Sequence, residues 1–233
     1  MKKIVIVLTG LLVACVINAQ TLDEIVKKYS SAMKTDKLVS ISSIKVSGKV
    51  SAMGMELPLV MTMKNPNKIR VTYSLNGQDM VTAFDGEKGY AINPMTGSTE
   101  PVEITGEQLK QVQNQNAFRN ELLDYFKEGK LTLEGEENIN GNAAHKLKAE
   151  SENGPVMMFI DKASYRLVKT SAKVDRMGTM MDVDSYMTDY VDIEGVVMPK
   201  KITQMANGEE AAVITFENIE VNIPIDDSVF KLK

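Results

Sequence analysis

Apolar residues recur along this chain with two periods, and the change of period marks its elements. Leu22, Ile25, Val26, Tyr29, Ala32 and Met33 share one face at helical spacing. Thr21 and Glu24 precede that face as a capping box, each able to satisfy an orphan backbone amide of the first turn. From Ile44 the period falls to two. Leu57, Leu59, Met61 and Met63 alternate with Pro58, Val60, Thr62 and Lys64, and Ile69, Val71, Tyr73 and Leu75 alternate with Arg70, Thr72 and Ser74. Such alternation puts one face of a strand in a core and the other in water. Turn signals separate these runs at Asn65-Pro66-Asn67, Asn76-Gly77, Asp85-Gly86 and Asn93–Gly97.

The strand pattern then stops. Ile104-Thr105-Gly106-Glu107-Gln108-Leu109 predicts a second capped helix, with Thr105 paired to Gln108, Ile104 stapled on Leu109, and Val112 continuing the apolar face. Asn116 is placed to cap a further helix that carries Phe118, Leu122, Tyr125 and Phe126 on one side and ends at Gly129. Strands are expected again at Lys130–Asn138, Ala143–Glu150, Val156–Asp161 and Arg166–Asp175. Three long strands follow, Thr179–Ile193, Val196–Ala206 and Glu209–Val221. Glu194-Gly195 and Asn207-Gly208 join them as two-residue hairpin connections. Pro224 lacks the amide a sheet ladder needs and closes the series. The pattern predicts about a dozen antiparallel strands, one helix before them and two between them. That is a mainly β, α+β arrangement, expected to be one domain over residues 20–233.

Composition adds limits. Of 233 residues, 43% are hydrophobic and 25% charged, which suits one globular domain. Net charge is −4 and no basic block occurs, so nucleic acid is not an expected partner. Met1–Ala19 reads as a secretory signal, with Lys2-Lys3 ahead of an apolar run, Ile4–Val13, too short to span a bilayer. Ile17-Asn18-Ala19 fits cleavage before Gln20. A competing reading stays open: Leu12-Val13-Ala14-Cys15 matches a lipobox, although apolar Val16-Ile17 stands where a lipoprotein carries a polar linker. Cleavage before Gln20 leaves no cysteine, hence no disulfide, thiol nucleophile or thiolate metal site.

Four features in order resemble one known family. Tyr186, Asp189, Tyr190, Asp192, Glu194, Gly195, Val196 and Pro199, followed by Glu220-Val221-Asn222, Pro224–Ser228 and Phe230, look like the end of the outer-membrane lipoprotein-sorting (LolA-like) periplasmic carriers. Met63–Arg70 resembles the family's Pro-Asn turn between strands. Phe84–Pro94 resembles its Asp-Gly strand start, with an aromatic, Tyr90, and then Pro94 at intervals of four. The order of helix, meander, helices and meander agrees as well. The resemblance implies a single antiparallel unclosed β-barrel (half-barrel) with a helical lid. It also implies an apolar space that carries the acyl chains of lipoproteins across the periplasm, with membrane-bound donor and acceptor partners. The family latches its lid with an Arg before the turn Pro; here that position is Asn65.

The expected apolar cavity is lined by Leu57, Leu59, Met61, Met63, Ile69, Val71 and Tyr73 from the strands. Leu109, Val112, Phe118 and Leu122 cover it from the helices. The 16 Met residues are informative because an unbranched, polarizable thioether conforms to varied apolar ligands. Met61, Met63, Met80, Met157, Met158, Met180, Met181 and Met187 fall on expected strands, where they either line a cavity or fill a core. Asp182, Asp184, Asp189 and Asp192 lack the loop spacing of a calcium site, so a solvated face is the reading and no metal is assigned. The single histidine, His145, lacks a neighbouring nucleophile motif, so no catalytic residue, enzyme activity or cofactor is expected. An envelope-anchored lipid- or protein-sensing module is the alternative function, and a metal-assisted hydrolase the third.

Overall fold

A computed structural model describes residues 20–115, 117–176 and 179–232. The expected signal segment, with Cys15, and Asn116 lie outside the described residues. Helix α1 (Leu22–Ala32) opens the chain with the expected capping box: the Thr21 hydroxyl accepts from the Glu24 amide, and the Glu24 carboxylate accepts from the Thr21 amide. Six strands follow as a meander, β1 (Ser43–Ala52), β2 (Met55–Lys64), β3 (Lys68–Leu75), β4 (Gln78–Phe84), β5 (Gly89–Asn93) and β6 (Ser98–Ile104). After α2 (Gly106–Asn114) and α3 (Glu121–Lys127) the meander resumes with β7 (Leu131–Ile139), β8 (Asn142–Ser151), β9 (Gly154–Asp161) and β10 (Leu167–Arg176). It ends with β11 (Thr179–Ile193), β12 (Val196–Ala206) and β13 (Glu209–Val221).

The 13 strands among the described residues form one antiparallel sheet, in the order β6-β5-β4-β3-β2-β1-β13-β12-β11-β10-β9-β8-β7. The sheet is open, with β6 and β7 at its edges. The expected mainly β half-barrel with helices is therefore the observed architecture. The last three strands have the residue limits that the alternation gave. At Glu194-Gly195 and Asn207-Gly208 both residues of each turn have positive φ, 50° and 90° in the first and 50° and 83° in the second. This is the conformation that lets a two-residue turn follow the twist of its strands.

Two expected caps differ. Thr105 precedes α2 but its side chain makes no cap hydrogen bond, so no box forms with Gln108. Gly106 enters the helix at φ +58°, which leaves the first turn irregular. The third helix begins later than expected, at Glu121. Asn120 caps it, its Oδ1 accepting from the Leu123 amide at 3.2 Å. Phe118 therefore lies in the link between the helices.

One face of the sheet is covered where a wet surface was expected. Past Pro224 the chain runs back across β1, β2 and β3 on the side opposite the helices. Ser43 donates to the Ile223 carbonyl at 2.6 Å, Lys64 to the Ile225 carbonyl at 2.8 Å, and Arg70 to the Val229 carbonyl at 3.0 Å. Thr62 and Ala83, the cross-strand partners of Arg70, are buried, as is Phe230. Lys64 and Lys68 both pair with Asp227 at 2.6 and 2.7 Å. These two ammonium groups hold the Asp227 carboxyl down to about 2.

Candidate functional site

The helices divide the sheet's inner face into two apolar clusters, the first continued by a half-buried row. Below α2, Leu59 and Met63 of β2 and Ile69 and Val71 of β3 are buried together with Val112. Met61, Tyr73, Leu109 and Phe118 pack against them half-buried. Burial pushes the Tyr73 hydroxyl above its ordinary value. Ile104 and Leu109 meet over Gly89, as the expected staple requires. Nine of the eleven expected cavity residues thus belong to one cluster.

The other two stand apart. Leu122 belongs to a second cluster, where α1 and α3 lie over β7, β8 and β9 with Ile25, Val26, Tyr29, Leu131, Leu147 and Ile160. Its separation from Leu109 and Val112 corrects the expectation that all four helical residues cover one space. Leu122 is carried on α3, a separate helix from the α2 that carries Leu109 and Val112, and α3 leans on α1: Asn120 donates to the Tyr29 hydroxyl at 2.9 Å. Leu57 is half-buried on β2, opposite Val50 of β1.

The half-buried row was not recognised in full from the sequence. Met187, Ile202, Ile214, Val50 and Leu57 are successive cross-strand partners on β11, β12, β13, β1 and β2. All five are half-buried. They form an unbroken apolar row across five strands, beside the cluster under α2. The signal was present in each strand's alternation, but the alignment of the row depends on β1 pairing with β13, which no local pattern encodes.

Beneath α2 the space is nearly closed. Between Met63, Ile69, Val112 and Phe118 no space remains that would admit a water molecule, whereas pockets that hold small molecules enclose ~300 Å³ or more. A wider cleft of about 730 Å³ opens between α2, α3 and the hairpin ends of β8–β11. Its walls carry Glu107, Glu121, Asp124 and Glu152 beside Tyr125 and Val156. Burial raises the Glu121 carboxyl above the usual carboxylate range, and Arg119 opposes that rise.

The remaining candidates resolve plainly. Asn65, at the expected latch position, bonds the chain ahead of β1: its Nδ2 donates to the Ile41 carbonyl at 2.9 Å. Methionines are distributed over several environments. Met63 and Met158 are buried in the two clusters, Met157 packs beside Phe159 in a small third cluster, and Met180 is 58% exposed. Asp182 and Asp184 pair with Lys173 and Lys169, each at 2.9 Å, and Asp192 pairs with Lys34. Among the described residues no three His, Cys, Asp or Glu side chains are grouped to hold a metal. His145 is buried, with Nδ1 4.0 Å from the Glu136 carboxylate.

Solved structures share this architecture at low identity. A DUF1329 family protein from Desulfovibrio piger matches with a TM-score of 0.59 at 12% identity, over 89% of this chain and 97% of that one. A LolA superfamily protein from Nitrosomonas europaea matches at 0.56 and 13%, over 87% and 97%. A domain assigned to outer membrane lipoprotein sorting from Vibrio parahaemolyticus matches at 0.59 and 10%, over 89% and 94%. At these identities the likeness is one of fold, and the fold is LolA-like. No curated protein matches the chain in sequence. Residues 94–233 match the profile of one protein family, which covers more than half of the sequence. The chain therefore has a LolA-like fold and belongs to that family, whose description reads "Uncharacterized protein".

Proposed function

We propose that this protein is a non-catalytic carrier or chaperone that holds acyl chains of lipoproteins or similar lipids on the inner face of its half-barrel. It is exported and acts in the periplasm as a single domain over residues 20–233, receiving its cargo from a membrane-bound donor and passing it to an acceptor. The observation that supports this most is the row Met187-Ile202-Ile214-Val50-Leu57, half-buried and continuous with the cluster under α2. An acyl chain needs a long, dry, deformable surface with few fixed polar groups, and each methylene it buries contributes about 0.8 kcal/mol.

The filled space between Met63, Ile69, Val112 and Phe118 fits the closed form of such a site. Cargo enters when α2 lifts Leu109 and Val112 off β2 and β3 and so extends the row. Ten of the eleven expected residues are assigned to contact cargo: Leu57, Leu59, Met61, Met63, Ile69, Val71 and Tyr73 below, with Leu109, Val112 and Phe118 above; Leu122, buried under α1, is not among them.

Binding of a fluorescent fatty acid tests the reading. Wild type is expected to bind, Val71→Asp to lose binding because an unpaired carboxylate enters the apolar space at a cost of several kcal/mol, and Thr72→Asp on the opposite face to retain it. A wild type that binds no acyl probe under conditions where α2 exchanges freely overturns the proposal. Intact mass of the exported protein tests the shuttle: a chain starting at Gln20 fits a soluble carrier, whereas acyl groups on Cys15 assign it as an anchored sensor or acceptor.

A further inference from the structure

His145 is the only histidine of the chain. It lies on β8, opposite Glu136 on β7 and Ile160 on β9, and its side chain is 3% exposed. Its Nε2 is buried and has no hydrogen-bond partner among the described residues. Its ring stacks with Tyr165, centroids 6.1 Å apart and planes 30° apart. Tyr165 belongs to the turn between β9 and β10, and its hydroxyl reaches over to the start of α1. There it donates to Gln20 Oε1 at 3.0 Å and accepts from Lys28 Nζ at 3.2 Å. The Lys28 ammonium also sits 4.9 Å from the centre of the Tyr165 ring. A turn of the sheet is thereby strapped onto the first helix, and the histidine lies under the strap.

We infer that His145, Tyr165 and the start of α1 form an acid-released latch, closed over a neutral imidazole at neutral pH and opened when His145 takes a proton. The neutral ring fits the site at modest cost, because one nitrogen carries no proton and an unpaired lone pair is tolerated. Protonation turns the buried Nε2 into a charged donor with no acceptor, which burial penalises heavily. The charged groups facing the ring are Glu136 from β7, Lys162 from the β9–β10 turn and Lys28 from α1. The carboxylate of Glu136 is already shared with Lys162, leaving two positive groups and one committed negative one around the ring.

Burial, with Lys162 and then Lys28 adding to it against Glu136, sets the His145 pKa below its ordinary value. The sign follows. An opened state binds a proton near pH 6.5, the ordinary value, while the closed state resists it to lower pH. The closed state is therefore fully favoured above about 6.5 and loses ground as pH falls toward the lower, folded value. For one proton the loss is at most about tenfold per pH unit. Lys162 holds the Glu136 carboxyl below the usual range, so Glu136 stays ionised across this window. What opens is the start of α1, whose Ile25 and Val26 pack with Leu147 and Ala149 of β8.

Carbon-13 labelling of histidine gives a single ring signal to follow from pH 8 to 4.5. Amide hydrogen exchange, corrected for intrinsic rates, reports α1 and residues 161–166 over the same range. The wild-type ring is expected to titrate below 6.5, with protection of both segments falling by up to about tenfold per unit between pH 6.5 and 5. Tyr165→Ala removes the strap, so the midpoint moves up toward 6.5 and α1 is less protected already at pH 7. His145→Phe, or His145→Gln if that ring does not fit, makes protection independent of pH over this range. A wild-type midpoint at or above 6.5, or the same acid loss in the histidine-free variant, overturns the latch.

Discussion

Helices α1 and α3 cover β7–β9 in one way, and α2 covers β2–β5 in another. The first cover is a core. Ile25, Leu147, Ala149 and Ile160 are each 0% exposed, α1 starts in a complete capping box, and Tyr29 bonds to Asn120 across the helices. The second is a thin plate. Only Val112 of α2 is buried, the helix has nine residues, and its N-cap side chain makes no bond. A helix this short is marginal in water on its own, so its stability comes from the few apolar side chains it docks. The comparison teaches that one sheet carries both a deeply buried core and a thin cover docked by few side chains. Half-buried Ile202 and Ile214 pack against the second, and Met187 extends their row on β11.

Four substitutions sharpen or break that comparison. Leu147→Ala deletes side-chain volume from the closed core and is expected to cost about 2–5 kcal/mol, read from the urea midpoint by circular dichroism. Val112→Ala removes two methyl groups from the lid contact and is expected to cost about 1–2 kcal/mol. Its signature is faster hydrogen exchange confined to residues 106–114. If instead the whole sheet loosens with α2, the lid is part of the core and the distinction fails.

Asn65→Arg tests whether the lid can be latched from the β2–β3 turn. Asn65 bonds the Ile41 carbonyl and not the helices, so the variant is expected to lose about 1 kcal/mol and to leave α2 exchange unchanged. A rise in α2 protection would show that the longer side chain reaches the lid. The smallest effect is expected on the opposite face, at the C-terminal strap. Asp227 is depressed to about 2 by Lys64 and Lys68, so its contribution is present above the ordinary carboxylate value and lost as pH falls from about 4 to 2. Asp227→Asn should loosen exchange at residues 226–230 at neutral pH, as acid does in the wild type, while both helical covers keep theirs.

By itself the sequence determined the local elements. Period-two alternation and the Glu194-Gly195 and Asn207-Gly208 turns set β11, β12 and β13 to the residue, and Thr21 with Glu24 set the start of α1. These are matters of backbone torsion and side-chain spacing within a few residues, so a local pattern suffices. Tertiary structure decided what those elements share. It sent Leu122 to the core under α1 while Leu109 and Val112 went to the lid, and laid Pro224–Phe230 over a strand face that alternation marks as wet. The pairing of β1 with β13 aligned Val50 with Ile214 to complete the apolar row. The same packing buried His145 beneath Tyr165 and α1. Each outcome joins residues far apart in the chain, and the energy that selects it lies in the contact between them, which neither partner's neighbourhood records.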